Sequence, residues 1–100
     1  MSEIADILGA NLARCRRRVL LSQEKVARRA SLHRTEVSFI ERGLRVPRFD
    51  TAVKLASAVE ADLDELADGV MWVCGDLHQG SFVKNGQMSL ASQLPNPRDP

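Results

Sequence analysis

The chain has 100 residues, of which 44% are hydrophobic and 27% are charged, and its formal net charge is +1. This length corresponds to one domain, and a chain of this size can bury a core without metal or disulfide bonds. The amino terminus carries acids and no basic segment, and no apolar run is long enough to cross a membrane. We therefore expect a cytoplasmic protein without membrane association, with Cys15 and Cys74 in the reduced state.

The charges are distributed unevenly along the chain. Between positions 11 and 48 the acidic residues are Glu24, Glu36 and Glu41. The basic residues of this half are Arg14, Arg16, Arg17, Arg18, Lys25, Arg28, Arg29, Arg34, Arg42, Arg45 and Arg48. Between positions 49 and 70, Lys54 stands against Asp50, Glu60, Asp62, Asp64, Glu65 and Asp68. A basic half in a nearly neutral protein indicates a phosphate-bearing partner, although a solvated face would carry similar charges.

Apolar residues at spacings of three and four predict a first helix from Ser2 or Glu3 to Val19. Its apolar stripe consists of Ile4, Leu8, Leu12, Cys15 and Val19. Because Cys15 continues this stripe, we interpret it as a small buried hydrophobe. Leu20 and Leu21 interrupt the pattern before the next helix begins.

The segment from Ser22 to Gly43 is the most informative part of the chain, because it contains two short helical patterns with almost no linker. The first pattern covers Gln23 to Ala30, with Ser22 as its N-cap. Ala27 is small at the point where two helices would cross closely. Ser31 and Leu32 then form the turn, and Leu32 supplies an apolar contact.

The second pattern of this segment runs roughly from Arg34 to Arg42 and keeps one polar face. His33 occupies the cap position, Glu36 is placed to reach back as half of a capping box, and Gly43 ends the helix. Two helices packed through one side, with the second polar on its other side, are typical of a helix-turn-helix. The second helix of such a pair enters the major groove of DNA.

Two further helices are predicted before position 70. Leu44 to Arg48 is a loop containing Pro47, and a fourth helix follows from about Phe49 to Glu60. The apolar surface of this fourth helix is Phe49, Ala52, Val53, Leu55, Ala56 and Val59. Asp62 and Glu65 form a capping box that opens a short fifth helix ending at Gly69. The sequence therefore predicts an all-α domain over residues 1–70.

Residues 71–100 have a different character and form a carboxy-terminal extension. Met71–Cys74 and Ser81–Lys84 read as two strands of a hairpin within 71–85, with Trp72 and Phe82 as its anchors. Because an isolated hairpin is marginally stable, it should pack on the helices or pair with a second copy. The proline-rich segment 94–100 is predicted to be disordered.

The motif residues resemble the Cro/C1-type helix-turn-helix family, also called the XRE family, over about Ile4 to Val70. The matching positions are Gln23, Ala27, the Ile40–Gly43 close of the third helix, Pro47 and the Leu55–Ala56 pair. The resemblance implies a five-helix, lambda repressor-like DNA-binding domain that acts mostly as a homodimer. This family often has glycine where Leu20 and Ser31 stand here, so Leu20 is expected at positive φ, at a cost of about 1–2 kcal/mol.

Phosphate contacts are assigned first, since they supply most of the affinity for DNA. The resemblance assigns Gln23, at the start of the second helix, to a phosphate. The amino-terminal end of a helix also favours an anion at this place. Further candidates are His33, Arg42, Arg45 and Arg48, and on the first helix Arg14, Arg17 and Arg18 could reach the flanking backbone.

Base reading is assigned to the first turns of the third helix. Arg34 and Thr35 resemble the base-contacting pair of the family: arginine can bind guanine through two hydrogen bonds, and threonine can contact a thymine methyl group. Ser38 and Phe39 lie one turn further along. Phe39 replaces a residue that is usually polar in the family. It could pack on a thymine methyl group, or it could turn into the core or a protein interface.

Arg16 and Glu41 match a pair that the family uses to connect the first helix to the third. We assign both to structure rather than to DNA contact. Cys74 and His78 have a spacing seen in metal sites, but no second pair accompanies them, so neither a metal nor a cofactor is predicted. No phosphate loop, nucleophile elbow or carboxylate cluster indicates an enzyme.

The leading interpretation is a sequence-specific transcriptional regulator, a repressor that binds an inverted-repeat operator in double-stranded DNA as a homodimer. One alternative is a DNA-binding antitoxin of a toxin-antitoxin pair, whose toxin partner would contact residues 71–100. Another is a helix-turn-helix module that binds proteins and not DNA. The basic residues around the third helix argue against that last alternative, whereas Phe39 and Trp72 favour it.

Overall fold

The computed structural model describes residues 3–75 and 79–84, which form five helices followed by a two-stranded antiparallel sheet. The helices are α1 (Glu3–Arg18), α2 (Gln23–Ala30), α3 (Arg34–Glu41), α4 (Phe49–Ala58) and α5 (Leu63–Leu66). The strands are β1 (Val70–Val73) and β2 (Ser81–Lys84). The expected arrangement of five helices followed by a hairpin is therefore confirmed. None of the helices in the described ranges has the length and apolar character required to cross a membrane.

The first four helices end in the same way, with one residue in the left-handed region. These residues are Leu20 (φ 60°), Ser31 (φ 56°), Gly43 (φ 75°) and Glu60 (φ 58°). After Gly43, the backbone N–H of Leu44 donates to the carbonyl of Phe39 at 2.9 Å, as in a Schellman motif. The expectation for Leu20 is confirmed: a leucine occupies a conformation in which its Cβ is strained.

The helix starts follow the predicted caps in two cases and depart from them in one. The Ser22 hydroxyl accepts a hydrogen bond from the backbone N–H of Lys25 at 3.0 Å, and Asp62 and Glu65 form the expected capping box. At α3, His33 is the N-cap residue as expected, but among the described residues its side chain makes no capping hydrogen bond and the capping box expected from Glu36 is not formed. Glu36 does not reach back to His33. Its carboxylate lies towards Arg45 instead, with 3.9 Å between a carboxylate oxygen and a guanidinium nitrogen.

The core lies between α1 and the α2–α3–α4 layer. Its largest fully buried side chains are Leu12, Cys15, Val26, Val37, Ile40, Leu55 and Val59. Two residues expected to contribute apolar surface from α4 do not: Phe49 is 74% exposed and Val53 is 45% exposed. Both side chains lie on the outer side of α4, whereas the inward side of this helix is formed by the buried residues Thr51, Leu55, Ala56 and Ala58.

Two residues of α1 determine how it packs, and neither was singled out from the sequence. A Cβ at Gly9 would collide with the carbonyl oxygen of Ile40 and lie 2.7 Å from that of Glu41, so α1 crosses the end of α3 at this glycine. The buried side-chain amide of Asn11 donates to the carbonyls of Leu66 and Asp68 at 2.7 and 2.8 Å. These bonds satisfy carbonyls at the end of α5, where no helical donor follows.

The strands pair antiparallel in the register Val70 with Lys84 and Trp72 with Phe82. The expectation that the hairpin packs on the helices is correct, since Phe82 and Val83 line a small cleft with Ile4 and Ile7 of α1. Trp72 and Phe82 are weaker anchors than expected, at 52% and 54% exposure. They contact each other edge to face, with ring centroids 4.9 Å apart. The described residues do not include 94–100, for which disorder is predicted, or His78, whose spacing from Cys74 was noted above. They also exclude position 85 at the end of the predicted hairpin.

Candidate nucleic-acid interface

The helix-turn-helix segment brings α3 to the surface with its amino-terminal end exposed. Val26, Ala27 and Ala30 of α2 are buried against Val37 and Ile40 of α3. The turn between the helices is set by Ser31, and the N–H of the following Leu32 donates to the carbonyl of Ala27 at 2.8 Å. This packing uses one side of α3 and leaves the other side for a ligand.

The four residues assigned to base reading lie on the outer side of α3. Arg34 and Thr35 are exposed in its first turn, and Ser38 and Phe39 are half-buried one turn later. Since residues four apart on a helix lie on the same face, Ser38 follows Arg34 and Phe39 follows Thr35. The structure therefore brings these four side chains together in two short rows.

A cluster of three side chains fixes the far end of α3. The Arg16 guanidinium binds the Glu41 carboxylate through two hydrogen bonds, from Nε at 2.6 Å and from the second terminal nitrogen at 3.0 Å. The side chains are 15% and 6% exposed, respectively. Arg16 also donates to the carbonyl of Leu21 at 3.0 Å. The hydrogen bond to Glu41 raises the pKa of Arg16 above its usual value, so this guanidinium stays charged.

Gln23 belongs to the same cluster, which the sequence did not indicate. Its Nε2 donates to Oε1 of Glu41 at 3.0 Å. A carboxamide nitrogen carries two hydrogens and its oxygen accepts, so one N–H remains for another acceptor. Glu41 therefore orients the residue that family resemblance assigns to a phosphate, and it does so while also holding Arg16.

Arg45 lies against α3 from the following loop. Its guanidinium carbon is 5.6 Å from the centroid of the Phe39 ring, within the range of a cation–π contact. A terminal nitrogen of Arg45 is 3.9 Å from the Glu36 carboxylate. Arg45 is thus held between two α3 side chains, while about half of it remains exposed.

The other candidate phosphate ligands lie around the ends of α3 and α4. His33 precedes α3 and Arg42 follows it, and both are exposed. Arg48 precedes α4, with its Nε 3.5 Å from Asp50, but its side chain is 85% exposed and this pair is weak.

The basic residues of α1 are used differently from one another. Arg18 binds Glu65 at 2.6 Å, and Arg14 donates to the side-chain oxygen of Asn11 at 2.9 Å, so both turn towards α5. The hydrogen bond between Arg18 and Glu65 raises the pKa of Arg18. The same bond, together with the backbone N–H of Asp62, lowers the pKa of Glu65. Arg14, Arg17 and Arg18 are all exposed, and their reach to the flanking DNA backbone stays a prediction.

Gly9 and Asn11, which were not singled out from the sequence, each stand at a position whose residue type is unusual for its place in the helix. Gly9 lies inside a strongly helical pattern, where glycine costs about 1 kcal/mol and therefore suggests a packing reason. Asn11 lies three residues after Leu8 and four before Cys15, so a polar residue falls on the apolar stripe.

Among the described residues, no three His, Cys, Asp or Glu side chains are grouped so as to hold a metal ion.

Comparisons with known proteins agree with this geometry. The model of the family described as "Helix-turn-helix domain" matches residues 7–68, and the chain therefore belongs to this family. Its members of the Cro/C1 type are transcriptional regulators, and the chain is a helix-turn-helix DNA-binding regulator of this type. Such regulators are not enzymes. Among curated proteins, none is significantly similar in sequence to this chain.

Solved structures give more specific likenesses. The restriction-modification controller protein C.AhdI from Aeromonas hydrophila is 34% identical, with a TM-score of 0.60 over 62% of this chain and 94% of that one. The hypothetical transcription factor NHTF from Neisseria is 29% identical, with a TM-score of 0.62 over 65% and 75%. An HTH_3 family transcriptional regulator from Vibrio cholerae is 25% identical, with a TM-score of 0.60 over 63% of this chain and 35% of that one.

Proposed function

We propose that this protein is a sequence-specific transcriptional repressor that binds an inverted-repeat operator as a homodimer. The observation that carries the proposal is the exposed Arg34–Thr35 pair at the start of α3, together with the clamp between Glu41 and Arg16 at its other end. A recognition helix must be rigid if its first turn is to contact base edges reproducibly. Repression follows because a protein bound in the major groove of a promoter blocks access of the polymerase.

In this proposal, one group of side chains contacts the bases and a second group contacts the phosphates of the DNA. Arg34, Thr35, Ser38 and Phe39 contact base edges, and arginine with guanine is the most specific of these pairs. Phosphate contacts are assigned to Gln23, His33, Arg42, Arg45 and Arg48. Gln23 donates to Glu41 at the end of α3 and Arg42 is the next residue, so these two ligands would contact the phosphate backbone at the same end of the recognition helix.

A homodimer is supported by exposed apolar side chains beyond the reading face. Leu44, Val46, Phe49 and Val53 are each at least 44% exposed, within ten consecutive residues of the α3–α4 loop and α4. Exposed apolar groups in such number mark an interaction site more often than a solvent-facing surface. A dimer through this segment must place the two copies of α3 about one helical turn of DNA apart, roughly 34 Å, if it is to bind both half-sites.

Selection of bound duplexes from a random pool tests the proposal directly. We expect a two-fold symmetric consensus whose half-site centres are about 10 base pairs apart. A mobility shift at 50 mM salt with random duplex supplies the first check, since phosphate contacts alone give measurable binding at low salt. Absence of any shift would exclude DNA binding, and a bound pool without a consensus would exclude sequence-specific reading.

The exposed Trp72 and Phe82 favour a second, compatible role for the carboxy-terminal extension. Two aromatic rings on one face of a hairpin are enriched at protein interfaces. This is what a DNA-binding antitoxin, contacted by its toxin through residues 71–100, would require. Co-purification with the product of a neighbouring gene, lost when residues 71–100 are removed, would favour the antitoxin. A mobility shift measured with the truncated chain then shows whether DNA binding is independent of residues 71–100.

A further inference from the structure

Phe39 is an unusual residue for the reading face of a helix that enters DNA. It lies one turn after Thr35 on the outer side of α3, and its ring is partly exposed. An exposed phenyl ring cannot donate or accept a conventional hydrogen bond, so it cannot read the polar edges of bases. The apolar group that a base presents in the major groove is the methyl group on C5 of thymine.

The Arg45 guanidinium lies over the face of this ring. Its guanidinium carbon is 5.6 Å from the ring centroid, and its terminal nitrogen is attracted by Glu36 at 3.9 Å. A guanidinium can stack on an aromatic ring while its N–H groups at the edge remain free for oxygen acceptors. Arg45 can therefore bind a phosphate and still keep Phe39 directed outwards, so that phosphate binding and ring position are linked.

We infer that Phe39, positioned by Arg45, reads a C5-methyl group in the major groove of the operator. This inference rests on the proposed DNA-reading function and names the chemical group that one position of that site takes. The same methyl group stands on C5 of 5-methylcytosine, and a phenyl ring does not distinguish the pyrimidine that carries it. Binding therefore responds to cytosine methylation wherever Phe39 faces a cytosine.

Two matched pairs of bases isolate the methyl group. Thymine and uracil differ by this group alone, and so do 5-methylcytosine and cytosine. We expect the wild-type protein to bind the methylated member of each pair about fourfold more tightly when the group is changed at one position of a single half-site, the other half-site being kept constant. This factor corresponds to the burial of one carbon group of methyl size. The measurement is fluorescence anisotropy at constant salt, with duplexes built on the selected consensus.

The variants assign the effect to its residues. F39A should bind both members of each pair equally, whatever its overall affinity, because the ring that contacts the methyl group is gone. F39L keeps an apolar side chain and should retain part of the discrimination. R45Q should lower both overall affinity and the methyl ratio, because it removes a phosphate ligand and releases the ring. S57A, at an exposed position of α4 outside the residues assigned to DNA, is the control that should leave the methyl ratio unchanged.

Each outcome decides a different question. Failure to select any consensus contradicts the proposed function, independently of Phe39. A consensus with methyl ratios of one at every position overturns the inference while leaving DNA reading intact. A fourfold ratio that persists in both F39A and F39L also overturns it, because another residue must then contact the methyl group. Circular dichroism of each variant establishes that the fold is retained.

Discussion

Glu41 accepts two hydrogen bonds from Arg16, and this pair connects the first helix of the protein to the end of the recognition helix. The same carboxylate accepts a third bond from Gln23, so one buried side chain joins α1, α2 and α3. An uncompensated charge would remain buried if one partner were removed. The position of the reading face thus depends on a contact that need not touch DNA.

Replacement of Glu41 by alanine is expected to lower the free energy of unfolding by about 3–5 kcal/mol, because it leaves Arg16 buried without its partner. Urea denaturation followed by circular dichroism measures the change. Glu24→Ala is the matched control, since Glu24 pairs with Arg28 on the surface and its loss should cost less than about 1 kcal/mol. Equal effects of the two substitutions would contradict the structural role of the Arg16–Glu41 pair.

Leu20→Gly is expected to stabilise the protein by about 1 kcal/mol. Leu20 has a φ of 60° and is 91% exposed, so glycine removes strain in its left-handed conformation and gives up little packing. Thermal unfolding measures the gain. Arg17→Gly, three residues earlier and within α1, is the control and should destabilise by about 0.5–1 kcal/mol. A loss of stability in Leu20→Gly would mean that the exposed leucine makes contacts that outweigh its strain.

Gly9→Ala should destabilise the protein by about 1–3 kcal/mol, because the new methyl group meets the carbonyls of Ile40 and Glu41. The helix propensity of alanine acts in the opposite direction, so a net loss reports the close approach of α1 and α3. Ala10→Ser, at the adjacent exposed position, provides the comparison and should have a small effect. Chemical denaturation that gives equal midpoints for wild type and Gly9→Ala would show that the two helices can separate at no cost.

Arg34→Ala should weaken binding to the selected operator by about 1–3 kcal/mol of binding free energy and relax the choice of base at one position. Titrations of the operator and its single-base variants measure both effects. Uniform weakening across the variants would assign Arg34 to a phosphate contact.

Arg45→Ala should weaken binding to every duplex and reduce the slope of log K against log salt by roughly 0.9. Titrations of operator and random duplex over a range of salt concentrations measure this slope. An unchanged slope would remove Arg45 from the residues that contact phosphate.

Phe49→Glu should shift the protein from dimer to monomer and weaken operator binding, since a charge would replace an exposed apolar side chain of the proposed dimer surface. Analytical ultracentrifugation measures the mass in solution. Lys54→Glu, on the exposed surface of the same helix, introduces a carboxylate without removing an apolar group and should leave the dimer intact. A Phe49→Glu variant with the mass of the wild type would exclude this surface.

Local signals in the sequence were sufficient for the helices and most of their ends. Ser22, Asp62 and Gly43 act through their own neighbours in the chain, so a cap or a stop can be recognised from a few residues. The Arg16–Glu41 pair was also expected, but from resemblance to a family and not from spacing, because its partners are separated by 25 residues. The capping box expected from His33 and Glu36 follows the same local rule but does not form, and the Glu36 carboxylate lies towards Arg45.

The sequence by itself determined the helical class, the helix-turn-helix segment and the row of side chains from Arg34 to Phe39, because periodicity and capping are properties of consecutive residues. Only the tertiary structure decided which charges are available. It joined Gln23 to Glu41, turned Arg18 towards Glu65, placed Arg45 on Phe39 and left Phe49 exposed. These pairings depend on distances across helices, and electrostatic attraction at short range then selects one partner among several that a sequence offers equally.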